Sequence, residues 1–122
     1  VIIDIHKAYF DAGSNVVCTN TFGASVLKFS EAELEEIIKA AINNAKTAAA
    51  EGKNRFVALD IGPLGKLLKP YGDLDFEDAV SIFAETVRLG VKYGADLVLI
   101  ETIAKVLSKA MSILGITLPE RM

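Results

Sequence analysis

The 122-residue sequence has one cysteine, one histidine and no tryptophan, and each scarcity excludes something. One thiol cannot build a disulfide framework, and one Cys with one His cannot complete a zinc site of three or four protein ligands, so this chain alone is expected to bind no structural or catalytic zinc. Basic clusters are missing as well: 13 Lys and Arg are scattered singly among 16 Asp and Glu, for a net charge of −3. Without an electrostatic footprint, nucleic acid and anionic lipid surfaces drop out as partners. Long apolar runs are absent: stretches such as Leu97–Ile100 fall far short of the ~20 residues that span a bilayer. Asp4 stands where a secretion signal needs a cationic start, so the expected address is the cytoplasm. What the sequence does have is 52% hydrophobic residues, enough for a core in a chain of this size. With no linker or low-complexity segment, residues 1–122 read as one domain or part of one.

Periodicity divides the chain into alternating elements. Ile2, Ile5, Tyr9 and Ala12 recur at helical spacing and stop at Gly13, which predicts an amphipathic helix over residues 1–12 with those side chains inward. Asn15–Thr19 reads as a strand buried on both faces, ending in the polar group Thr19-Asn20-Thr21. Ser30 with Glu33 forms a capping box, and Leu34, Ile37, Ile38, Ala41, Ala45 and Ala48 give one stripe that runs to Gly52. The unit then returns. Arg55–Leu59 is a second buried strand ending at Asp60, followed by a long loop punctuated by Gly62, Pro63, Gly65, Pro70 and Gly72. Asp75 can cap a third helix with the stripe Val80, Phe83, Ala84, Val87 and Val91, stopped at Gly94. Leu97–Ile100 is a third buried strand ending at Glu101 and Thr102; Val106, Leu107, Ala110 and Leu114 form a fourth stripe up to Gly115, and Ile116–Leu118 can begin another strand.

Strands alternating with helices predict an α/β class with parallel pairing through right-handed crossovers. Two architectures fit: a doubly wound parallel sheet, or consecutive βα units of a (β/α)8 barrel, which needs about 250 residues when complete and would be about half present. In either, the strand ends share one rim, and all three carry hydrogen-bonding residues: Asn20 and Thr21, Asp60, then Glu101 and Thr102. Glu101, after four apolar residues, is the best placed carboxylate to hold an ammonium group or a proton. The segment Gly62-Pro63-Leu64-Gly65 lacks the Lys-Ser/Thr pair of a P-loop and the spacing of a dinucleotide fingerprint. Cys18, inside a strand, reads as a buried structural thiol, His6 as a surface or partly buried imidazole, and Met111 as core packing.

Four motifs carry a resemblance: Ile2-Ile3-Asp4-Ile5-His6-Lys7-Ala8-Tyr9, Thr19-Asn20-Thr21-Phe22-Gly23-Ala24, Asp60-Ile61-Gly62-Pro63-Leu64-Gly65 and Glu101-Thr102. In this order and register they resemble the homocysteine S-methyltransferase family, in the form of the homocysteine-binding domain of cobalamin-dependent methionine synthase. The resemblance implies a TIM barrel in which a zinc ion, held by three cysteine thiolates, binds and activates the homocysteine sulfur. The methyl group would come from methylcobalamin on one domain, regenerated from methyltetrahydrofolate on another. By position, Glu101 would hold the homocysteine ammonium, with Asn20, Thr21 and Asp60 lining the same rim. The resemblance also places a first strand ahead of residue 1 and the zinc cysteines on later strands, so this chain is expected to be inactive alone. It fades after Thr102, where Ile103-Ala104-Lys105 replaces a small hydroxyl residue and an Asp, leaving 103–122 a weakly matching end. Open sheet edges would invite self-association. A different class stays open beside it: a non-catalytic α/β half-barrel serving as a binding or assembly module.

Overall fold

The computed structural model describes residues 1–100, in the order α1 (Ile2–Asp11), β1 (Val16–Cys18), α2 (Glu31–Ala49), β2 (Phe56–Ile61), α3 (Phe76–Tyr93) and β3 (Leu97–Ile100). The three strands form one parallel sheet in the order β1-β2-β3, with Cys18 opposite Ala58 and Asp60 opposite Leu99. Helices α1, α2 and α3 pack in a row against each other and against the face of the sheet that carries Val17, Val57, Leu59 and Ile61, as right-handed crossovers between sequential parallel strands require. The predicted α/β class and parallel pairing are therefore present. Glu101, the fourth helical stripe and the trailing strand lie outside the described residues.

Helix α2 forms as its sequence dictates. The Ser30 hydroxyl accepts from the Glu33 N–H while the Glu33 carboxylate accepts from the Ser30 N–H, and Leu34, Ile38, Ala41, Ile42, Ala45 and Ala48 turn inward. Its ends serve two apolar clusters. Leu34, Ile38 and Ile42 meet Leu59, Ile61 and Leu89, whereas Ala45, Ala48 and Ala49 meet Phe10, Val17 and Val57. Helix α3 stops at Gly94, whose φ of 93° is the left-handed conformation glycine adopts most readily.

Polar contacts fasten the layers. The Asp96 carboxylate accepts from the Val57 N–H at 2.9 Å and from the Lys46 ammonium at 2.7 Å, joining the turn before β3 to β2 and α2; these bonds hold its pKa below the usual carboxylate value. Glu35 on α2 receives Lys92 and the Tyr93 hydroxyl from α3, and the same two donors lower its pKa.

The structure differs from the sequence expectations in four places. First, α1 buries a different stripe: Ile5 and Tyr9 are exposed, and His6 and Phe10 are buried, because Phe10 finds the alanine-lined end of α2. Second, α3 turns Ala79, Thr86, Leu89 and Gly90 inward, leaving Val80 and Val91 exposed. Third, β1 and β3 are not covered on both faces. Val17 is buried toward the helices, but Val16 and Cys18 are exposed on the opposite face, as are Leu97 and Leu99 in β3. No described element covers that face, so Cys18 is not the buried thiol the sequence suggests. Strand β2 also runs one residue beyond Asp60, to Ile61.

Candidate functional site

Strand alternation sets the site. Val57, Leu59 and Ile61 of β2 are buried in the helix-side clusters, so Ala58 and Asp60 belong to the other face, in register with Cys18 and Leu99. Asp60 is half-buried at the C-terminal end of the sheet, beside the segment that leaves β1.

Two buried threonines bind these ends together. The Asp60 N–H donates to the Thr19 hydroxyl oxygen at 3.1 Å, and the Thr21 hydroxyl donates to the Asp60 carbonyl at 2.7 Å. The hydroxyls lie 2.7 Å apart. A hydroxyl has one proton, and that of Thr21 goes to Asp60, so Thr19 donates to Thr21. The result is a closed ring of three hydrogen bonds around the Asp60 backbone. Just beyond it, the Gly62 N–H donates to the Phe22 carbonyl at 3.0 Å, and a Cβ at residue 62 would lie 2.2 Å from that oxygen. The strand-end loops therefore meet backbone to backbone.

The expected site residues take different positions. Asn20 and Asp60 are brought to one rim, Asn20 exposed and Asp60 half-buried. Thr21 reaches the same rim but is only 1% exposed, and its hydroxyl serves the Asp60 backbone. Glu101 lies outside the described residues. The sequence places Thr19 at the strand end and Gly62 in the loop, but the bond from the Asp60 N–H to Thr19 and the close backbone approach at Gly62 are visible only in the structure. A hydroxyl residue and a glycine, each directly after a strand, are the signals the sequence offers. Replacing Thr19 by valine keeps the shape but removes the acceptor of the Asp60 N–H. The expected loss is about 1–3 kcal/mol in urea unfolding, with Thr19→Ser retaining most of it.

The long loop after β2 has its own architecture. It folds back on itself through Lys69 N–H to Leu74 C=O and Tyr71 N–H to Leu68 C=O. Against the first turns of α3 it leaves an open apolar depression of about 750 Å³, lined by Pro63, Leu64, Leu67, Leu68, Phe76 and Phe83 among others. Asn20, Thr21 and Asp60 are not among its walls. Among the described residues no three His, Cys, Asp or Glu side chains gather to hold a metal, and the residues present do not fit zinc. His6 is buried on α1, and Cys18 is on the exposed face of the sheet.

The family model for homocysteine S-methyltransferase matches residues 1–118. The chain belongs to the homocysteine S-methyltransferase family. Among solved structures it is similar to the homocysteine methyltransferase MmuM from Escherichia coli. The oxidized form superposes with a TM-score of 0.68 at 21% identity, covering 93% of this chain and 47% of that one. The apo form gives 0.66 at 22% identity, with 93% and 45% covered. At this identity the likeness shows a shared fold, and the family member described here spans about half the length of the solved enzyme.

Proposed function

We propose that this chain supplies part of the homocysteine-binding rim of a methyltransferase that methylates the homocysteine thiol to give methionine. The observation that carries the reading is Asp60: a carboxylate at the sheet's C-terminal end, its backbone fixed by the Thr19–Thr21 ring, in a chain of the homocysteine S-methyltransferase family. The resemblance gives the homocysteine ammonium to Glu101; a fixed strand-end carboxylate such as Asp60 would share that charge from the same rim, where Asn20 offers both a donor and an acceptor. Glu101 extends the same rim by its sequence position.

In this reading the strands are consecutive units of a TIM barrel, and their uncovered face belongs to its interior. Methylcobalamin, derived from methyltetrahydrofolate, is the donor the motif form favours; its cobalamin and folate domains would be partners of this one. Zinc chemistry is assigned to residues other than the described ones, which do not fit the metal.

Homocysteine binding by the 122-residue chain, followed calorimetrically, tests the reading. Asp60→Asn is expected to weaken binding by about 10- to 100-fold, the value of a charge-assisted hydrogen bond. Unchanged affinity would remove Asp60 from the site. Failure of the unaltered chain to bind would remove the reading for this polypeptide.

A further inference from the structure

His6 lies on the α1 face that carries Phe10, is 5% exposed, and its Nε2 has no hydrogen-bond partner among the described residues. Ile3 and Phe10, one turn before and one turn after it, belong to the apolar cluster that α1 forms with Val17 of β1 and Ala45, Ala48 and Ala49 of α2. The imidazole therefore sits in an apolar seam between the first helix and the rest of the fold.

We propose that His6 makes the docking of α1 pH-dependent, the helix being released from α2 and β1 as the imidazole takes up a proton. A neutral imidazole can leave one ring nitrogen without a partner at modest cost. An imidazolium cannot: both nitrogens become donors, the ring carries a charge, and the seam gives Nε2–H no acceptor.

The charged groups nearby are committed elsewhere. On α1, Asp4 lies by the N-terminal amine, Asp11 lies 3.6 Å from Arg55, and Lys7 holds Glu51, just past α2, at 2.6 Å. Arg55 itself stacks over the Phe10 ring. On α2, Lys46 is bound to Asp96, and Glu35 to Lys92 and Tyr93. On β1, Cys18 is on the opposite face of the sheet from Val17. Burial accordingly lowers the His6 pKa below its ordinary value of 6.5. The docked helix binds the proton less well than the free one. Its stability is complete above pH 6.5 and declines as pH falls from there through the lower docked value. Across that window the ratio of docked to free helix drops by up to about tenfold per pH unit.

Backbone amide hydrogen exchange on the full 122-residue chain, from about pH 7.5 to about pH 5 and corrected for intrinsic rates, reads this directly. Protection in α1 is expected to fall relative to α2 by up to about tenfold per unit below pH 6.5, and the fall should vanish in His6→Leu. An NMR titration of the imidazole in the unaltered chain should give a pKa below 6.5. The proposal is overturned if α1 and α2 protection stay parallel, if His6→Leu keeps the acid-induced loss, or if the measured pKa is 6.5 or higher. Should His6→Leu fail to fold, the exchange profile and the titration of the unaltered protein decide the matter.

Discussion

Leu59→Ala is expected to lower the unfolding free energy by about 2–5 kcal/mol, seen as a shift of the urea midpoint with little change in slope. Leu59 is fully buried where β2 meets α2 and α3, among Leu34, Ile38, Ile42 and Leu89. Truncation removes its transfer free energy and leaves a cavity that rigid helices on both sides cannot close. Gly90 on α3 gives the prediction a second arm. A Cβ there would lie 2.5 Å from Leu59 Cδ2, so Gly90→Ala alone sets about 1 kcal/mol of helix propensity against a clash. In the Leu59→Ala background the clash is gone and the methyl group enters the vacated space. The double variant should be more stable than Leu59→Ala alone. A strictly additive cycle would show that the two residues do not share the space assigned to them.

Gly62→Ala is expected to cost about 1–3 kcal/mol and to abolish homocysteine binding if the proposed rim is correct. The obstacle is the Phe22 carbonyl oxygen, 2.2 Å from the new Cβ, with the Phe22 ring at 2.9 Å. Backbone cannot step aside as a leucine terminus can, and that oxygen is held there by the Gly62 N–H. Gly65 provides the control: it has a φ of +74° but open space around its Cβ position. Gly65→Ala should cost only the ~1–2 kcal/mol of left-handed backbone and leave the two loops in contact. Unfolding midpoints and homocysteine affinity measured on both variants separate a spatial requirement from a conformational one.

These elements differ in how far the sequence announces them. Helix α2 is legible from both ends inward, because Ser30 and Glu33 fix its start and a single apolar stripe fixes its face. Helix α1 has two overlapping stripes, Ile2-Ile5-Tyr9 and Ile3-His6-Phe10, and periodicity cannot choose between them. The choice is made by Ala45, Ala48 and Ala49, far along the chain, whose small side chains leave room for an aromatic ring. Strand β1 reads as buried because parallel strands normally are; that rule assumes layers on both faces, and the described residues provide one. At the rim, residue type was informative and role was not. Thr21 has the hydroxyl expected of a ligand contact, but the group it meets is the Asp60 backbone, 39 residues away, and no local pattern reveals that pairing.

The ring around Asp60 also bears on the order in which the protein comes apart. Two of its three bonds join residues 39 and 41 positions apart, whereas α2, lying between them, is held by bonds of four-residue span. Closing the ring requires β1 and β2 to be already aligned, so entropy charges for it late in folding and refunds it early in unfolding. Under rising denaturant the rim would lose its geometry while most of the helix remains. Ligand competence and helical circular dichroism would then report two different transitions of one molecule.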